Sequence, residues 1–313
     1  MSETPAPVPT PLGQTAYLAA PDFVEQLIAE LGEVAAVHDR LVFADGGPRT
    51  AAWAQNVWHD PVSLRIGSIN DGARALRSIQ RNWALYSLAH HGRAALIAEK
   101  LPHVSARPLE FPGDPPSAPL GSWTLIERDT IIAAPHCSSP FANGEPRFVE
   151  DRENPPNRAY LKVYEALTTL GERPQRGELC LDLGASPGGW TWALHQLGAR
   201  VISVDKAPLD PRVAALRGVE HRLESAFSLD PLEFGAVDWL FCDMACYPDR
   251  LLRLVQKWMA AGICRRMLCT IKFQGATDHA IAAEFAAIPG SRMFHLTCNK
   301  HELTWALLDC PRG

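Results

Sequence analysis

Two lysines and two carboxylates, Lys162, Asp243, Lys272 and Glu302, each fall at or near an end of a predicted strand or helix, in chain order around a glycine-rich turn, LDLGASPGGW (Leu181 to Trp190). Ammonium and carboxylate groups are the residue types that move a proton or fix a hydroxyl. A glycine turn between a strand and a helix makes a nucleotide-type cofactor site. The chain has only six lysines, so two at such positions are informative, and the joint spacing is more so. Singly, each residue has a plainer reading. Lys162 on an amphipathic helix reads equally well as a solvated side chain, and Glu302 opening a strand is unremarkable. Asp243 ends an apolar strand, VDWLFCD, where sheet C-termini gather ligands, and Lys272 after MLCTI is odd as plain surface.

The turn itself reads Asp-x-Gly-x-x-x-Gly-Gly, with Asp182, Gly184, Gly188 and Gly189 at the fixed positions and Ser186 and Pro187 between them. It is wider by a residue than a dinucleotide fingerprint. Glycine is needed where backbone approaches a ligand or takes positive φ. Twenty-three residues after Asp182, Asp205 ends the next strand, placed to accept hydrogen bonds from ribose hydroxyls of an adenosine. The plain alternative is a helix-packing turn with Asp205 as a solvated strand end. Trp190 and Trp192 flank the cofactor helix and read as core rather than as base-stacking platforms.

These residues need elements to position them. From Asn157 the chain alternates a helix (RAYLKVYEALTTLG), a strand (ELCLDLGA), a helix (GWTWALHQLG), strands RVISVDKA, VEHRLES and VDWLFCDM, a helix (DRLLRLVQKWMAAG), a strand (RMLCTIKF) and a helix (HAIAAEFAAIPG). Short apolar strands between amphipathic helices predict an α/β domain, a mostly parallel sheet covered on both faces. MFHLTCN and ELTWALLD, joined by a tight turn at Asn299–Lys300–His301, are expected to add an antiparallel hairpin. The domain boundaries predicted are a disordered tail over 1–13, a smaller α+β domain over 14–150 and the sheet domain over 151–313. In the smaller domain TAYLAA reads as a strand, and Asp22 as the N-cap of a helix, DFVEQLIAELGEV. VHDRLVFADGG follows as a strand, with helices near Asp71–Gln80 and Gly92–Leu101. The proline-rich Ala106–Ser122 reads as a loop, SWTLIERDTIIAAP as a hairpin or long strand, and FANGEPRFVEDRENPPN as an irregular stretch.

Bulk composition bounds the function classes. Hydrophobic content of 47% and charged content of 21% describe an ordinary globular chain. A net charge of −5 argues against indiscriminate coating of nucleic acid, while 24 arginines leave material for a local basic groove. Arg74, Arg77, Arg81 and Arg93, with His90 and His91, form a positive stretch. It reads first as solvated helix faces and second as an RNA-contacting surface. Several of the eight cysteines lie in apolar runs, as buried free thiols do, and Cys242 and Cys246 have no second ligand pair at zinc spacing, so no metal is expected. The N-terminus lacks a signal-peptide pattern, and no apolar run is long enough for a membrane span, which predicts a cytoplasmic, reduced protein.

LDLGASPGGWTWAL resembles the first motif of FtsJ-like, S-adenosylmethionine-dependent ribose 2'-O-methyltransferases, with VISVDKAP, FCDMACYP and CTIKFQG similar to their second, fourth and sixth motifs. NRAYLKVYEA before these motifs and HELTW after them resemble, more closely, the bacterial large-subunit rRNA cytidine 2'-O-methyltransferase family, over roughly residues 130–313. The resemblance implies a Rossmann-like methyltransferase sheet, S-adenosyl-L-methionine as cofactor and RNA, specifically rRNA, as partner, with no membrane and no DNA. It implies a catalytic Lys162–Asp243–Lys272–Glu302 tetrad, and a cofactor site at Asp182, Gly184, Ser186, Pro187, Gly188, Gly189, Trp190, Asp205, Ser225 and Asp243. Two features depart from the family. The N-terminal part is short for the THUMP module that the family carries, and Ser225 stands in LESAF where an aspartate is expected to read the adenine amine.

For the implied chemistry, a ribose hydroxyl must lose its proton as it attacks a sulfonium methyl in line. A neutral Lys272 could accept that proton, but a lysine titrates near ~10.4, so neutrality needs burial or a neighbouring cation such as Lys162. Asp243 and Glu302 push towards ammonium, so the tetrad orients the hydroxyl as much as it deprotonates it. Alternatives within this frame are a 2'-O-methyltransferase of a cap or tRNA and a non-catalytic cofactor-binding RNA partner. The second is disfavoured by the intact set of four. A hydride-transfer enzyme is third, to be revealed by nicotinamide binding.

Overall fold

The computed structural model describes residues 7–310. The chain divides into two compact units, one holding residues up to Leu109 with Asp114–Arg147, the other Glu110–Gly113 with Phe148 onward.

The first unit runs β1 (Thr10–Pro11), β2 (Gln14–Ala19), α1 (Val24–Leu31), β3 (Ala36–His38), β4 (Leu41–Asp45), β5 (Ala54–His59) and β6 (Val62–Arg65). It continues with α2 (Ile69–Ile79), β7 (Trp83–Leu85), α3 (His91–Ala98), β8 (Gly121–Glu127), β9 (Thr130–Ala134) and β10 (His136–Cys137). Two five-stranded sheets result, ordered β1-β6-β9-β8-β7 and β10-β5-β2-β4-β3. Of the tail expected to be disordered, residues 1–6 lie outside the described residues, whereas Thr10 and Pro11 pair antiparallel with Ser63 and Val62. The expected strand VHDRLVFADGG is instead a hairpin, turned at Asp39 with φ of 53°. Asp22 does not cap α1. It sits at φ of 67°, and the helix opens after Phe23 with no side-chain cap. Ser68 does cap α2, accepting from the Asp71 N–H.

The second unit contains α4 (Tyr160–Leu170), β11 (Leu179–Leu183), α5 (Gly189–Gln196), β12 (Arg200–Asp205), α6 (Pro211–Ala214), β13 (Val219–Leu223) and β14 (Val237–Cys242). After these come α7 (Pro248–Ala261), β15 (Cys264–Lys272), α8 (His279–Ala286), β16 (Ser291–Phe294) and β17 (Glu302–Leu307). Its seven strands are ordered β13-β12-β11-β14-β15-β17-β16, parallel as far as β15, with β17 antiparallel to both its neighbours. The last two strands are an antiparallel pair as expected, but β17 inserts between β15 and β16, and β16 ends at Phe294. The expected tight turn is therefore a seven-residue link, 295–301.

Alternation along β11 and β14 buries both faces. Cys180, Trp239 and Phe241 join the cluster built by Tyr160, Val163 and Leu167 of α4 and Trp192 of α5, while Leu181, Leu183, Leu240 and Cys242 are buried on the opposite parity. Trp239 stacks on Phe241 at 5.5 Å, an aromatic pair that adds about 0.5–1.5 kcal/mol beyond area burial. α4 buries residues at i, i+3, i+4 and i+7 and stops at Gly171, whose φ of 72° suits only glycine without strain. The chain runs outward one way through β11, β12 and β13, then the other way through β14 and β15. The order reverses between β11 and β14, the crevice where open α/β sheets bind ligands.

Candidate active site at the carboxyl edge of the sheet

Gly184 leaves β11 and Asp243 leaves β14 at that reversal, and the Asp243 N–H donates to the Leu183 carbonyl at 3.3 Å. Between them opens a cleft of about 550 Å³. Of the residues that the sequence singles out, Gly184, Ser186, Gly189, Trp190, Asp205, Ser225, Asp243 and Lys272 line it. Asp182, Pro187, Gly188, Lys162 and Glu302 do not.

Asp182 lies beneath the turn. It is buried, its Oδ2 accepts the Thr191 hydroxyl at 2.7 Å, and that hydroxyl also lies 2.7 Å from Ser203 Oγ. Burial pushes its carboxyl up to about 7 against the pull of the Thr191 contact. Its side chain ties β11 to α5 and does not reach the cleft, because it shares the parity of Cys180, which points into the core. The glycines are likewise packing residues first. A Cβ on Gly184 would lie 2.4 Å from Met244 Cγ, and one on Gly189 would lie 2.1 Å from Asn157 Oδ1. Gly188 has φ of 114°, and its Cβ direction meets Val213 at 3.0 Å. The turn thus brings β11, α5 and the segments after β14 and before α4 close enough that only glycine fits.

Asp205 has a dual position. Its Oδ2 accepts from the Ser186 N–H at 3.1 Å and its Oδ1 from the Ala207 N–H at 2.9 Å, while the residue lines the cleft. The carboxylate therefore holds the turn in shape and faces the space that a ligand would use. Ser225 lines the cleft beside Glu224 and Phe227, with Arg250 centred 3.7 Å over the Phe227 ring. Trp190 is packed in the core, as the sequence reading has it, and also borders the cleft. It is 4% exposed and edge-on to Phe241 at 6.1 Å, yet it lines the cleft, and its Nε1 has no hydrogen-bond partner among the described residues.

Lys162, Asp243, Lys272 and Glu302 come together as one alternating chain of charge. Lys272 Nζ donates to the Asp243 carbonyl at 2.6 Å and lies 3.0 Å from Asp243 Oδ1. The same Oδ1 lies 3.5 Å from Lys162 Nζ, which also makes a close ion pair with Glu302 Oε1. The side chains are 13%, 17%, 24% and 9% exposed for Lys162, Asp243, Lys272 and Glu302, so the network is shielded from water and opens towards the cleft at Asp243 and Lys272. Burial alone would lower the Lys162 ammonium, but the carboxylates of Asp243 and Glu302 outweigh it and raise the group above its ordinary value. Lys162 is thus a fixed cation. The register places Lys272 opposite Glu302 across β15 and β17, so one sheet ladder carries two members of the set.

Asn157, Met244 and Arg250 are among the site residues that escape the sequence reading. Asn157 lines the cleft and accepts from the Ala159 N–H at 3.0 Å, and an Asn two residues before a helical turn is the signal that points to it. Met244, against Gly184, and Arg250, over Phe227, have no comparable signal, since their roles depend on which loops meet.

Among the described residues, no helix is long and apolar enough to cross a membrane. Residues 155–282 match the model of the FtsJ-like methyltransferase family. The chain is 39% identical over 140 residues to the ribosomal RNA large subunit methyltransferase M of Azoarcus sp. (strain BH72), covering 43% of this chain and 38% of that protein. The protein of the same name from Halorhodospira halophila (strain DSM 244 / SL1) is 41% identical over 135 residues, 42% of this chain and 39% of its own length. That from Alkalilimnicola ehrlichii (strain ATCC BAA-1101 / DSM 17681 / MLHE-1) is 37% identical over 191 residues, 58% of this chain and 50% of its own. The matched segments therefore span half or less of these relatives.

Proposed function

We propose that this protein, whose residues 155–282 match the FtsJ-like methyltransferase model, is an S-adenosylmethionine-dependent RNA ribose 2'-O-methyltransferase acting on large-subunit rRNA. The observation that carries the reading is the buried chain Glu302–Lys162–Asp243–Lys272, opening into a cleft at the strand-order reversal. The substrate class rests on the names of the relatives, which are rRNA methyltransferases.

The cleft suits a nucleoside-bearing cofactor. Its volume is of that order, and the carboxylate of Asp205 borders it. Asp205 would hold the ribose hydroxyls, Gly184 to Ser186 would supply backbone, and Ser225 with Glu224 would face the adenine edge. S-adenosylmethionine supplies, when bound, an electrophilic methyl group on a sulfonium.

The chain's own work is on the acceptor hydroxyl. Nζ of Lys272 spends two of its tetrahedral positions on Asp243, one on the carbonyl and one on Oδ1. A single position is left. Through it the amine either takes the hydroxyl proton or, as ammonium, fixes the oxygen in line with the methyl carbon. Lys162, kept cationic, pairs with both Asp243 and Glu302 and so joins the cleft end of the network to its buried end.

Ribose methylation should be mapped across rRNA from cells lacking the protein and then restored in vitro with purified protein and cofactor. One missing 2'-O-methyl group that the protein restores is the expected result. A full methylation pattern, or a methyl placed on a base, would overturn the reading.

A further inference from the structure

α4 carries a second charged residue that the proposed chemistry does not use. Glu165, one turn beyond Lys162, is 5% exposed, and its carboxylate accepts the Thr297 N–H at 2.7 Å and the Thr297 hydroxyl at 2.6 Å, with the Cys298 thiol at 3.7 Å. Thr297 sits in the link between β16 and β17, five residues before Glu302. That link is tied within itself. The Asn299 N–H donates to the Leu296 carbonyl at 3.0 Å, Asn299 Nδ2 to the Glu302 carbonyl at 3.3 Å, and the Glu302 N–H to the Lys300 carbonyl at 2.9 Å. The link from Leu296 to Glu302, which contains Thr297, is thus braced by its own hydrogen bonds.

We infer that Glu165 is a positioning residue for the charged network, clasping the β16–β17 link onto α4 so that Glu302 meets Lys162, an inference that rests on the proposed methyl transfer for its kinetic consequence. Two ties run in register between the same pair of segments, Lys162 to Glu302 and Glu165 to Thr297. A buried carboxylate is costly unless its lone pairs are filled. Burial pushes the Glu165 carboxyl up to about 7, and the donors from Thr297 offset part of that rise. A side chain wanted only for packing would be apolar here, as Val163, Ala166 and Leu167 are. The three donors fix both the height and the rotation of the link, and rotation decides whether Glu302 or its neighbour faces Lys162.

The test is a double-mutant cycle on the full chain, read as methyl transfer to rRNA and as cofactor affinity. Glu165→Ala is expected to lower kcat about tenfold with cofactor Kd within about twofold, and Glu165→Gln, which still accepts from the Thr297 N–H, to recover most of that loss. In a Glu302→Gln background Glu165→Ala is expected to cost less than about twofold more, because its effect runs through Glu302. Thr297→Ala, at an exposed position, repeats the test from the other side of the clasp and leaves α4 intact. A loss of equal size in the Glu302→Gln background, or wild-type turnover in both Glu165→Ala and Thr297→Ala, would overturn the inference. Amide exchange separates this from failure of the proposed function. Should the wild type transfer no methyl group, faster exchange over 297–302 with unchanged α4 protection in Glu165→Ala still supports the clasp, and unchanged exchange there rejects it.

Discussion

Lys272 grips Asp243 at two points, its Nζ 2.6 Å from the main-chain carbonyl and 3.0 Å from Oδ1. The carbonyl contact fixes where β14 ends, and the Oδ1 contact fixes the rotamer that also serves Lys162 at 3.5 Å. Because both contacts belong to one residue at the end of one strand, the amine cannot swing away from the cleft without losing both. The geometry therefore aims the remaining position of Nζ.

Replacing this amine should separate chemistry from binding. Lys272→Ala is expected to cut methyl transfer by roughly 10²-fold or more, the scale of general acid–base effects. Cofactor affinity measured by calorimetry should barely change, since in the proposed mechanism Lys272 acts mainly in the transition state. Turnover near wild type in a folded variant would remove Lys272 from the mechanism.

The buried acid below the turn has a thermodynamic signature. Asp182 has its carboxyl raised to about 7 by burial, so the folded state binds more protons than the unfolded one between the ordinary value of 3.8 and about 7. Stability from this group is full below that window and declines as pH rises through it. Asp182→Asn keeps an oxygen for the Thr191 hydroxyl and removes the titration. Urea unfolding at pH 5, 6 and 7.5 should show a smaller loss of stability with rising pH in the variant than in the wild type. Parallel profiles would mean that Asp182 is charged throughout.

Gly184 tests whether packing or ligand approach sets the shape of the turn. With φ of 80° and a Cβ direction 2.4 Å from Met244 Cγ and 3.0 Å from its Cα, Gly184→Ala meets both backbone strain and overpacking. It should destabilise the protein by roughly 1–3 kcal/mol even without cofactor. Unchanged urea midpoints with weakened cofactor binding would instead mean that the ligand sets the need for glycine.

The parts that the sequence made legible are those where local pattern and tertiary role coincide. β11, β14 and β15 are short apolar runs that could only be central strands, and Asp243 and Lys272 follow from their C-terminal ends. Asp182 was harder, because a strand's two faces are told apart only once the core side is known, and Cys180 and Leu181 are both apolar. The insertion of β17 between β15 and β16 is invisible locally, since a hairpin and an inserted strand share one pattern of residues. Asp22 had the composition of an N-cap, but the chain turns at it with positive φ, which moves the helix start to Val24. β5 and β6 surround Pro61 with mixed polar and apolar residues and carry little strand signal of their own. Glu165 could be found only from the link it holds, 132 residues further on.

The arginines of the first unit are not equivalent, and this gives a prediction for RNA binding. Arg74 is paired with Asp71 at 2.8 Å on the same helix, so its guanidinium is already engaged, whereas Arg81 is exposed just past the end of α2. Arg77 reaches the Lys100 carbonyl at only 3.5 Å and is largely available. If this face grips phosphates, Arg81→Gln and Arg77→Gln should each weaken rRNA binding and lower the slope of log affinity against log salt by about one. Arg74→Gln should leave the slope nearly unchanged, although it removes the same formal charge. Fluorescence anisotropy over a salt series distinguishes these outcomes, because a purely long-range field would make all three variants alike. Equal effects at the three positions would mean that the stretch acts only through net charge. No effect at any of them would return it to a solvated surface and place RNA recognition elsewhere.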